Sequence, residues 1–159
     1  MKHHRLLVLS TFVTGVLALG ETPARTADTQ GPRMLDQVVK IIQDEDSLAA
    51  IKHIESQGEP LEVAKIYGQL VSDLYYKRKD VPMMLMMGRA GVQYCLSEAQ
   101  RCDDDKLAVE LRGTAKMMSF NLAVNCWPAW EDEGITLTAS DARHGYDLAR
   151  LNLRLANEL

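Results

Sequence analysis

A chain of 159 residues, 47% apolar and 25% charged, has the length and balance of one ordinary globular domain. That composition excludes a collagen-like repeat, a disordered chain and a disulfide-dense miniprotein. With a net charge of −4 and Lys77-Arg78-Lys79 as the one cationic cluster beyond the N-terminus, the chain lacks the electrostatic footprint of a nucleic-acid binder.

Residues 1–20 read as a secretory signal peptide. Lys2 and Arg5 give a positive start, Leu6 to Leu19 is mostly apolar, and Ala18 and Gly20 place small residues before Glu21. Such a run spans about 21 Å as a helix, short of the ~30 Å hydrocarbon core, which argues against a retained anchor. No cysteine follows it to carry a lipid. The expectation is an exported protein, periplasmic or secreted. Cleavage removes Lys2 and Arg5 but no acid, moving the net charge from −4 to −6. Residues 21–32, rich in Thr, Pro, Gly and Ala, read as a flexible leader, and residues 33–159 as a single helical domain.

The predicted elements are all helical. Met34, Leu35, Val38, Val39 and Ile42 mark a first short helix, interrupted at Asp44-Glu45-Asp46. Asp46 or Ser47 caps a second, carrying Leu48, Ile51 and Ile54 and stopping at Gly58-Glu59-Pro60. A third starts at Leu61, with Ala64, Tyr67, Gly68, Val71, Leu74 and Tyr75 on one stripe, and ends in the cations of residues 77–79. Asp80 caps a fourth, with Pro82 in its first turn and Met84, Met87, Gly91, Tyr94 and Cys95 on its face. Asp103-Asp104-Asp105 opens a fifth, whose stripe runs Leu107, Leu111, Ala115, Met118, Leu122 and Cys126 until Pro128 stops it. Thr138 to Asp141 has the form of a capping box for a sixth. The alternating Ile135–Thr138 is too short to build a sheet.

Short turns make these six helices three antiparallel hairpins, with small residues where helices must approach: Gly68, Gly88, Ala90, Gly91, Gly113, Ala115, Gly145 and Ala149. The later helices echo one another, Ala90 and Leu96 matching Ala149 and Leu155. These paired helices, with the stretch AKIYGQLVSDLYYKRKD, resemble tetratricopeptide-type repeats, and Leu61 to Leu159 is similar to exported bacterial repeat proteins of unassigned activity. The spacing departs from the 34-residue consensus through the long fifth helix and the tryptophan loop after it. The resemblance implies a short all-α solenoid that binds peptides or partner proteins on a concave surface. It supplies no catalytic residue.

Chemistry is correspondingly sparse. The sequence has no Gly-x-Ser-x-Gly elbow, no phosphate loop and no Cys–His motif, so no enzyme and no cofactor is expected. His53 and His144 stand alone on their helices, and the acidic runs read as caps and solvated turns. Glu131 to Glu133 lacks the ligand spacing of a calcium loop. Met83 to Met87 with Met117-Met118 admits an alternative, a periplasmic copper or small-ligand protein using soft thioethers, against core filling by methionine. Cys95, Cys102 and Cys126 are an odd set, expected as free thiols; a Cys95–Cys102 bond needs the helix to end near Glu98–Arg101. The stretch NCWPAWEDEG holds both tryptophans. Trp127, beside the fifth-helix stripe, is expected to anchor the loop, and Trp130 to face a partner. The first, third and fifth helices should share the concave side, and Tyr67, Tyr75, Tyr76, Arg89 and Trp130 are the candidate partner-binding residues. The sixth helix, apolar on more than one face, adds a possible homodimer contact.

Overall fold

The computed structural model describes residues 30–159, and the expected signal peptide and most of the expected leader lie outside them. The described residues form α1 (Gln30–Asp44), α2 (Ser47–Glu55), α3 (Pro60–Ser72), α4 (Val81–Arg101), α5 (Asp105–Asn125) and α6 (Ala139–Glu158). A π-helical turn, Asp73–Lys77, extends α3, and a 3-10 turn, Pro128–Trp130, follows α5. No strand forms among the described residues, so the protein is all-α there. No described helix is long and apolar enough to cross a membrane. Gln30 to Pro32, expected in the leader, are already the first turn of α1.

Local chemistry sets the helix ends. Asp46 caps α2 by accepting from the Ala49 N–H at 2.8 Å, and Asp80 caps α4 by accepting from Met83 at 2.9 Å. Asp104 receives the N–H groups of Lys106 and Leu107 at the start of α5. The capping box of Thr138 with Asp141 closes reciprocally on α6, and at the start of α3 the Glu59 N–H donates to the Glu62 carboxylate at 3.3 Å. The end of α3 departs from the simple cationic terminus that the sequence suggests. Lys79 enters the left-handed region at φ 57°, and the Asp80 N–H turns back to the Leu74 carbonyl at 2.9 Å. Asp73, buried in this turn, accepts from Arg78 Nε at 2.6 Å and pairs with Lys77 at 3.0 Å. Burial pushes its carboxyl upward, but these two cations outweigh it and hold the carboxyl below the usual range. Arg78 also grips Asp36, tying α1 to the end of α3.

Each helix packs against the next and against the next but one: α1 on α3, α2 on α4, α3 on α5 and α4 on α6. The core consequently runs the length of the molecule, from Leu35, Val38 and Ile54 through Tyr67, Leu74, Met84 and Met87 to Leu111, Leu122 and Leu148. The stripes expected on α4 and α5 are the buried faces. Leu48 is an exception, 56% exposed at the start of α2.

Close approach is concentrated on fewer small residues than expected, among them Gly88, Gly91 and Gly145. A Cβ at Gly91 would fall 2.7 Å from Cβ and Cγ of Tyr67 and 2.8 Å from Met118 Sδ, so α3, α4 and α5 meet there. At Gly145 it would lie 2.6 Å from Cys126 Cβ, where α6 presses on the end of α5. Gly68 and Gly113, by contrast, face open space, and Ala149 is exposed. Neither glycine closes a crossing. Gly68→Ala and Gly113→Ala are each expected to stabilise the fold by about 0.5–1 kcal/mol, through lost unfolded-state freedom. Gly91→Ala is expected to destabilise it by about 1–3 kcal/mol through overpacking. Urea denaturation of the three variants checks the opposite signs.

Candidate functional site

Beside Ala64 and Gly68, at the edge of the apolar stripe of α3, lies a second row, Lys65, Gln69, Ser72 and Tyr76, at three- and four-residue spacing. Thr114, Met117 and Asn121 form the matching row on α5, and Leu35 of α1 closes the side. Together they line an open groove of about 700 Å³ with an apolar floor and a polar rim. Its charged side chains are Lys65, Lys77 and Asp73, a net positive lining on a chain whose net charge is −4. Gly68 leaves the middle of the groove empty of side chain. The rows beside the apolar stripes were the sequence signal for this surface, and the choice of aromatic residue types picked only Tyr76 from them.

The five expected binding residues do not converge. Tyr67 is fully buried at 0% exposure, its ring 6.0 Å from that of Tyr94 and its hydroxyl donating to Glu55 at 3.4 Å. Tyr75 is also in the core. Both belong to the apolar stripe of α3, which packing claims before any partner does. Tyr76, 64% exposed and edge-on to Tyr75, alone reaches the groove. Arg89 is exposed elsewhere, in a cleft between α4 and α6, with Nη1 3.4 Å from His144 Nδ1.

Trp130 stands on a third surface, and the loop bearing it is built differently from expectation. Trp127 is no anchor: it is 60% exposed. The space beside the end of α5 is filled by the Cys126–Gly145 contact, and Pro128 turns the chain away. Anchoring falls to three other groups. The Trp130 indole N–H donates to the Val124 carbonyl at 2.9 Å, satisfying a C-terminal carbonyl of α5. The Tyr75 hydroxyl donates to Asp132 at 2.5 Å, and Ile135 and Leu137 pack on the core. Glu131 adopts φ 51° between these fastenings. Burial, then the hydrogen bond and charge of Asp132, push the Tyr75 phenol well above its ordinary pKa. Thus held, Trp127 and Trp130 (58% exposed) form, with Phe120, Ala123, Val124, Ala149 and Asn152, an apolar pocket of about 420 Å³ between α5 and α6.

The remaining reactive groups are dispersed. All three cysteines are free. Helix α4 runs through Arg101, keeping Cys95 and Cys102 on one continuous helical end, where a bridge does not form. Burial pushes the thiols of Cys95 and Cys126 up to about 11. Met84, Met87 and Met118 are buried in the core, whereas Met117 opens on the α3–α5 groove and Met86 on the α4–α6 cleft. The thioethers that a copper site would draw together are therefore split between core and two separate surfaces. His53 is half-buried, with Nε2 lacking a partner among the described residues. No known protein family, curated protein or solved structure matches the chain.

Tyr75→Phe removes a hydrogen bond to a charged group, and a loss of about 1–2 kcal/mol is expected. Hydrogen exchange at the amides of residues 131–136 should accelerate, and unchanged exchange there would show that Asp132 does not hold the loop. The thiols give a pH dependence of defined sign. They ionise near 9.0 when unfolded but near 11 when folded, so the folded chain holds extra protons between those values. Stability fully present below pH 9 should fall as the pH rises to 11, and Cys95→Ala,Cys126→Ala should flatten the decline.

Proposed function

We propose that this chain is an exported, tetratricopeptide-like scaffold that binds a segment of another protein in the groove of α1, α3 and α5, without catalysis of its own. The groove is the observation that carries this reading. Its volume of about 700 Å³ suits a peptide backbone with one or two side chains, and its mixed lining matches the apolar centre and polar rim of protein interfaces. Contacts between each helix and the next but one support a stack of hairpins, with α1, α3 and α5 together on one side. The N-terminal sequence supports export. Lys65 and Lys77 on the rim favour a segment carrying acidic residues beside apolar ones.

Gly68 provides the test, because a large side chain there fills the groove without meeting the core. Peptides selected from a random library on the wild-type chain are expected to lose at least about tenfold in affinity for Gly68→Trp. They should bind Arg89→Ala, altered on the α4–α6 side, as well as wild type. Equal binding to Gly68→Trp would refute the groove as the recognition surface.

A further inference from the structure

The pocket between Phe120, Trp127 and Trp130 does not belong to that groove, and its surroundings specify what fills it. Ala149 forms one of its walls and lies a single helical turn from both Tyr146 and Leu153 on α6. Tyr146 is 65% exposed and Leu153 63%, so one face carries a hollow and, beside it, two apolar projections. Phe120, at 53%, and the two tryptophans extend the same face. With large side chains of roughly 150–250 Å² each, the five expose on the order of 600 Å² of mainly apolar surface. That is at the upper end for a patch on a monomer and near the ~800 Å² each partner gives a stable interface.

We propose that a second copy of this chain covers the face, its Tyr146 and Leu153 entering the pocket of Phe120, Trp127 and Trp130. A two-fold axis makes the exchange reciprocal, each copy supplying both projection and hollow, as a closed isologous dimer requires. The charges agree with this pairing. Arg143 and Arg150 each lie within one helical turn of Tyr146 on α6, and Glu131 and Glu133 follow Trp130 in the loop. All four are exposed, and none forms an ion pair among the described residues. Reversal of one copy on the other sets cations against acids. The Tyr75–Asp132 fastening then has a further consequence: it keeps the tryptophans at the surface in the arrangement that the partner copy meets.

Sedimentation velocity on the full chain across the micromolar range, with tryptophan quenching by acrylamide at the same concentrations, tests the dimer. The wild type is expected to be dimeric and its tryptophans shielded. Leu153→Arg, at an exposed position that leaves the core intact, should be monomeric with readily quenched tryptophans, and Trp127→Ala should also be monomeric. Tyr76→Ala, in the α1–α3–α5 groove, should remain dimeric. A monomeric wild type, or a dimer that survives Leu153→Arg with its tryptophans still shielded, would overturn the proposal. Neither result bears on peptide binding in the groove, which the Gly68 variant tests separately.

Discussion

The crossing at Gly91 sets the rest of the structure. The backbone of α4 lies there against the Cβ and Cγ of Tyr67 and the sulfur of Met118, with no room for a methyl group. Tyr67 is held in turn by burial, by its ring contact with Tyr94 and by its hydroxyl bond to Glu55. Tyr67 thereby helps to fix the distance between α3 and α4, and Met118 that between α4 and α5, as Val71 and Leu122 do one turn away at Gly88. The gap between α3 and α5 follows from those two distances, and this gap is the groove. Its openness is a consequence of packing beneath it, not of its own lining.

The same logic separates the molecule's surfaces. Tyr75, one stripe position beyond Leu74, closes the core and then reaches out to Asp132, so the end of α3 positions the loop after α5. The ion pairs of Arg78 with Asp73 and Asp36 draw α1 against that end. Asp73 is buried, so its contact with Arg78 is little screened, whereas Asp36 is exposed and its pair with Arg78 lies at the surface. The groove faces one way and the tryptophan pocket lies between α5 and α6, each backed by the common core. On the proposed reading, a peptide in the groove and a second copy at the tryptophan pocket would not compete for the same residues.

Much of the architecture was legible in the sequence because it is written in local chemistry. Asp46, Asp80, and Thr138 with Asp141 cap the helices where short polar side chains precede apolar periodicity. The stripe from Leu107 to Cys126 names the buried face of α5. The candidate binding residues were less legible, for a physical reason. Tyrosine is enriched both in cores and at interfaces, and Tyr67 and Tyr75 already occupied the apolar stripe of α3, so position should have outweighed residue type. Trp127 failed in the other sense. It follows Cys126, the last residue of the α5 stripe, and whether a ring there turns inward depends on how closely Gly145 approaches, a long-range fact. The π-helical end of α3 has no signal in periodicity, because it arises from Asp73, Lys77 and Arg78 satisfying one another.

Native-state hydrogen exchange on Gly91→Ala beside the wild type is the most direct measurement of this dependence. In the wild type the amides of α4 around Gly91 should be the slowest to exchange. If the crossing governs the frame, a single added methyl group should lower protection together in α3, α4 and α5, the three helices that meet there. Loss of protection confined to the turns of α4 on either side of residue 91 would contradict it.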